Sequence, residues 1–175
     1  MLALLGAYLS RNRVGHPVTA PMRASAQAAS GRVLRARPGL DWRRPTVLYF
    51  IQNGCPCSEL AHPFFERLAS LARNHGTFAG VVGGTLEDAQ AWQKSYPSSF
   101  PTYSDAKVQL IEEFGIERSA FVALVLPGGV VRKVWPGFSG PMLLELLREL
   151  SPDPDQLADL DVKAAPSELT SGCSF

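Results

Sequence analysis

The chain has 175 residues, of which 46% are apolar, 9% aromatic and 19% charged. That is enough apolar material for one compact core with tails. It is too short for two full domains and too weakly charged for a wholly disordered chain. The 17 lysines and arginines nearly balance the 16 acids at a net charge of +1, so no global field points to nucleic acid or to an anionic membrane surface. Three cysteines cannot build a disulfide scaffold, but their placement is uneven: Cys55 and Cys57 are nearly adjacent, and Cys173 lies close to the last residue.

The first 32 residues read as an apolar and basic arm. Arginines 11, 13, 23, 32, 35, 37, 43 and 44 precede residue 45, with Asp41 the only acid there; with Trp42 the only aromatic among them, this reads as a solvated arm. Met1–Leu9 is apolar for nine residues, short of the ~20 needed to cross a bilayer. Its basic residues follow the apolar run rather than precede it, although Ala24-Ser25-Ala26 has the form of a cleavage site. Three readings stay open: the end of an anchor helix, a weak signal peptide, or a plain N-terminal helix. They place the protein in the cell envelope, anchored or periplasmic, or in the cytoplasm.

A domain follows over residues 33–150. Thr46–Ile51 is a continuous β-branched and aromatic run, as expected of a strand covered on both faces in a mostly parallel sheet. Gly54 and Pro56 break it. Ser58 is placed to cap a helix running through Asn74, with Leu60, Phe64, Leu68 and Leu71 at helical spacing and Gly76 ending it. Strands are expected at 78–82 and 100–103, and helices at 86–96 and 107–114. Phe121–Leu126 is the strongest strand pattern, and Pro127-Gly128-Gly129 turns it into a hairpin with 130–135. Residues 141–150 form an amphipathic helix. From Ser151 onward Pro, Asp and Ser predict an irregular tail, 151–175, that carries Cys173. The expected fold class is α/β, a sandwich with a central mixed sheet flanked by helices, parallel strands first and an antiparallel pair last.

The chemistry-bearing segment is Asn53-Gly54-Cys55-Pro56-Cys57-Ser58. A thiol where a strand turns into a helix meets unpaired helix N–H groups and the positive end of the helix dipole, and both favour the thiolate. Other templates do worse: Ser98-Ser99 lacks a nucleophile elbow, and Gly83-Gly84 lacks the lysine and spacing of a phosphate loop. Trp92 and Trp135 read as core or groove residues.

These residues resemble the thioredoxin-like superfamily, and within it the redoxin group related to peroxiredoxins and anchored thiol-disulfide oxidoreductases. In that group a buried strand leads into a Cys-x-x-Cys turn with a proline eight residues after the first cysteine, and Pro63 lies eight after Cys55. Phe100-Pro101-Thr102-Tyr103-Ser104-Asp105, Phe114-Gly115-Ile116 and Ser119-Ala120 follow in the family's order. The resemblance implies that Cys55 is the nucleophile and that Ser58 takes the place of the second family cysteine. It also implies that Ser58 and the Cys57 backbone N–H stabilise the Cys55 thiolate, and that Pro56, Ser119 and Ala120 face the substrate. Two departures matter. Ala120 stands where the family holds a cis proline; a non-proline cis bond costs about 3 kcal/mol, so a trans peptide and a more open loop beside Cys55 are expected. Leu48 and Gln52 replace the residues of the peroxidatic signature, which weakens a peroxide-linked role.

The reading is a thiol-disulfide redox protein acting on a protein or small-molecule disulfide or thiol, with no cofactor and no nucleic acid. Resolution of a mixed disulfide falls to Cys57, through a small strained ring, or to Cys173, with Gly172 letting the tail turn and Phe175 docking it. Two alternatives stand beside it. Cys55, Cys57, Cys173 and His62 are soft ligands suited to copper or zinc. A binding subunit that kept the fold and lost turnover also fits Ser58 and Ala120.

Overall fold

The computed structural model describes residues 15–151 and 153–175; Met1–Leu9, Arg11 and Arg13 lie outside them. In chain order the elements are β1 (His16–Pro17), α1 (Ala20–Ala29), β2 (Thr46–Ile51), α2 (Pro56–Leu71), β3 (Thr77–Val82), α3 (Leu86–Ser95), β4 (Thr102–Ser104), α4 (Gln109–Glu113), β5 (Val122–Val125), β6 (Val131–Trp135), α5 (Gly140–Leu150), α6 (Pro154–Ala158) and β7 (Thr170–Ser171). The main sheet has the order β4-β3-β2-β5-β6. β2, β3 and β4 run parallel, while β5 is antiparallel to both β2 and β6. This is the expected mixed sheet with helices on both faces.

The central strand shows why its sequence is apolar throughout. Val47, Tyr49 and Ile51 enter one core with α2 and α5, and the alternate residues Leu48 and Phe50 enter a second core with α1 and α4. Antiparallel pairing sets Tyr49 opposite Val122. The residues just before β5 therefore lie beside the loop that leaves β2, which positions the site.

Three expectations need correction. The helix after the cysteine loop begins three residues early: Pro56, with φ preset for a first helical turn, makes Cys55 the N-cap instead of Ser58. Within the basic arm, Thr19 caps α1, which buries Met22, Ala26 and Ala29 against the sheet. Last, the segment after residue 150 is largely irregular but not detached. It contains α6, buries Leu160, and returns through β7, which pairs antiparallel with β1. Among the described residues no helix is long and apolar enough to cross a membrane.

Candidate active site

Gly54, at φ +76°, turns the chain out of β2, and Cys55 follows with its N–H donated back to the Gln52 carbonyl. Cys55 is thereby fixed at the start of a 16-residue helix and is 1% exposed. Its sulfur accepts a hydrogen bond from the Ser119 hydroxyl at 3.2 Å and another from the Cys173 backbone N–H at 3.2 Å. The thiols of Cys57 and Cys173 lie close enough to the same sulfur to favour its charged form.

One negative charge is thus shared among three sulfurs, and it rests on Cys55. The Cys57 thiol does most to hold the Cys55 pKa down, to about 3, against burial and with help from Cys173 and Ser119. The same shared bond, together with burial, pushes the Cys57 thiol well above the usual range, and Cys173 is pushed up to about 11 by its bond to Cys55 and by burial. Hydrogen bonds to a charged acceptor count for more than neutral ones. The helix N-terminus adds to them.

Ser119 is held by the sheet. Phe50 and Ala120 lock the two segments together: the Ala120 N–H donates to the Phe50 carbonyl at 2.7 Å, and the Phe50 N–H to the Phe121 carbonyl at 3.0 Å. Ala120 is fully buried and sits at φ +61°, with no cis peptide among the described residues. The left-handed turn keeps the Ala120 N–H bonded inward while both backbone groups of Ser119 face Gly172 and Cys173. The Ser119 N–H donates to the Cys173 carbonyl at 2.9 Å, and the Gly172 N–H to the Ser119 carbonyl at 2.9 Å. The trans peptide does not leave an open loop, because segment 170–175 covers it.

Other expected residues fall differently. Ser58 is fully buried, but its hydroxyl accepts from the Gln52 N–H and its carbonyl from the Tyr49 hydroxyl at 2.5 Å. It supports the turn and does not touch Cys55. Pro56 is exposed beside the thiols. His62 points into an aromatic nest of Trp92, Tyr96 and Phe100, with Nε2 3.4 Å from the Pro97 carbonyl. It therefore does not join the cysteines, and the four-ligand metal set is not assembled. Among the described residues no three His, Cys, Asp or Glu side chains are grouped to hold a metal ion.

Two contributors escaped the sequence reading. Arg118 donates to the Gly172 carbonyl at 3.3 Å, and Gly83 leaves the space that the Phe175 ring occupies. The pairing of a free Gly-Gly with a late aromatic was the only signal for the second.

A cysteine at the N-cap of the helix that follows the central strand of a mixed five-stranded sheet, facing the loop before an antiparallel strand, defines the thioredoxin-like fold of thiol-disulfide oxidoreductases. The AhpC/TSA family model matches residues 32–135, more than half of the chain, and the chain belongs to that family. Among solved structures, DsbF of MTB, in its mixed oxidized and reduced forms, is 26% identical with a TM-score of 0.52, over 68% of this chain and 82% of that one. The thioredoxin domain of a thiol-disulfide oxidoreductase from Bacteroides vulgatus is 15% identical with a TM-score of 0.59, over 70% and 98%. The exposed lipoprotein thioredoxin Etrx1 from Streptococcus pneumoniae is 21% identical with a TM-score of 0.55, over 63% and 87%. The last two share the fold. No curated protein is significantly similar in sequence.

Proposed function

We propose that the protein exchanges disulfides with thiol or disulfide substrates through Cys55, and that Cys57 or Cys173 resolves the mixed disulfide. The carrying observation is the Cys55 sulfur itself, buried at a helix N-terminus, with two donors at 3.2 Å and two more thiols against it. In the reducing direction the Cys55 thiolate attacks one sulfur of a substrate disulfide. A Cys55–substrate bond forms and the other substrate sulfur leaves as a thiolate. The resolving thiolate then attacks Cys55, forming a disulfide within the chain and releasing the second substrate thiolate, so two electrons pass to the substrate.

The charge arrangement supports this order. Cys57 and Cys173 are held protonated by their bonds to the Cys55 thiolate. Once that charge is consumed in the mixed disulfide, the largest cause of their raised pKa is gone and, although burial still opposes ionisation, either ionises more readily to attack. In reverse, Cys55 is the better leaving group because its thiolate is stabilised, which favours handing the disulfide to substrate thiols. Peroxide is a weaker fit as a substrate because Leu48 and Gln52 stand in the places of the peroxidatic signature.

Turnover of a disulfide peptide by the wild-type chain and by the Cys55→Ser, Cys57→Ser and Cys173→Ser variants tests the reading. Cys55→Ser loses at least a hundredfold, and the variant lacking the resolving thiol accumulates a mixed disulfide visible by intact mass. Wild-type turnover by Cys55→Ser overturns the proposal.

A further inference from the structure

Segment 170–175 is seated along its whole length. The Thr170 N–H and carbonyl exchange bonds with Phe138 at 3.0 Å each, and the Ser171 hydroxyl donates to the His16 carbonyl at 3.2 Å. Gly172 and Cys173 pair with Ser119 as one strand pairs with another. The Phe175 N–H then donates to the Glu117 carbonyl at 3.2 Å. The surface is shaped to receive it. A side chain at Gly172 would collide with the Ser119 hydroxyl and come within 3.1 Å of the Cys55 sulfur. One at Gly83 would fill the place of the Phe175 ring, against Ile111. One at Gly137 would meet the Thr170 backbone at 2.5 Å.

The seat is built from groups that recognise backbone rather than one particular chain: the N–H and carbonyl of Ser119, bonded to the backbone of Cys173 and Gly172, a guanidinium on a carbonyl, and an apolar hole two residues beyond the cysteine. We propose that residues 170–175 form a strap that imitates a client, and that the groove beneath it takes an extended segment of a partner polypeptide with glycine before its cysteine and an aromatic residue two positions after it. Such a client must displace the strap before its sulfur reaches Cys55, so the strap gates the site. This rests on the reading of Cys55 as the reactive thiol. A tethered strap competes at high effective concentration, and a free peptide meets only the fraction of molecules in which the strap is out.

The probe is a synthetic peptide of residues 170–175 carrying Cys173→Ser, titrated against the reduced full-length chain by calorimetry. Gly172→Ala in the protein unseats the strap and leaves the groove intact, so the peptide is expected to bind that variant at least tenfold more tightly than wild type. Alkylation of Cys55 at neutral pH should accelerate by a similar factor. Adding Gly83→Ala fills the aromatic seat and abolishes the gain, as does a peptide with Phe175→Ala. If Gly172→Ala does not fold, Phe175→Ala in the protein loosens the same strap from its other end. Equal binding to wild type and variant, or binding to neither, overturns the proposal. Cys55 that resists alkylation in both chains defeats the functional reading instead, whatever the peptide does.

Discussion

Ser119→Ala removes a single hydroxyl that donates to the Cys55 sulfur at 3.2 Å. Ser119 is fully buried, so water cannot take over as donor. A hydrogen bond to a charged acceptor contributes about 1.5 to 3 kcal/mol, and one pKa unit corresponds to about 1.4 kcal/mol. The Cys55 pKa should therefore rise by about 1 to 2 units from its value of about 3. That leaves Cys55 ionised at neutral pH, and so the whole loss falls on the reduced form. The disulfide sulfur carries no charge and loses little. For a two-electron couple about 30 mV corresponds to 1.4 kcal/mol, so the reduction potential should fall by about 30 to 60 mV. Thiolate absorbance followed against pH measures the first quantity, and equilibration with a glutathione buffer measures the second. A variant in which neither moves refutes the assignment of the hydroxyl as donor to a thiolate. A potential that shifts without the pKa places the effect in the oxidised state and refutes it equally.

Two further outcomes follow from the same geometry. Because Cys55 is depressed in the folded state, the reduced chain should gain stability as pH rises from about 3 toward the ordinary thiol range, at up to about 1.4 kcal/mol per pH unit. The gain is complete above the unfolded-state pKa and is lost as pH falls to the folded one; Cys57 and Cys173, both raised, act in the opposite sense above that range. Urea unfolding at several pH values should show a flatter profile for Cys55→Ser, and an unchanged slope would contradict the charge assignment. Ala120→Pro is expected to destabilise by about 2 to 4 kcal/mol, because proline has no N–H for the Phe50 carbonyl and cannot reach φ +61°. A variant as stable as wild type in thermal unfolding would show that the left-handed turn is not required.

Much of the fold was legible because burial on both faces leaves a continuous apolar strand such as Thr46–Ile51, and because Gly54 and Pro56 mark the turn in which Cys55 sits. Local chemistry was read less well where two signals competed. Ser58 is a better capping residue than cysteine, but Pro56 starts the helix earlier and leaves Ser58 to hold the turn. His62 carries a ligand's chemistry, yet its helix face turns it toward Trp92 and Phe100.

The alternation of strands and helices and a thiol at a helix N-terminus follow from local sequence, since both depend on residues close together along the chain. The groups that meet that thiol are set by long-range packing. Ser119 lies 64 positions from Cys55 and Cys173 lies 118 positions away. They come together through the antiparallel register of β2 and β5 and through the return of segment 170–175 over the sheet. Pairings of that kind depend on shape: the left-handed turn at Ala120 and the space left at Gly83 and Gly172 leave no periodic trace in the sequence.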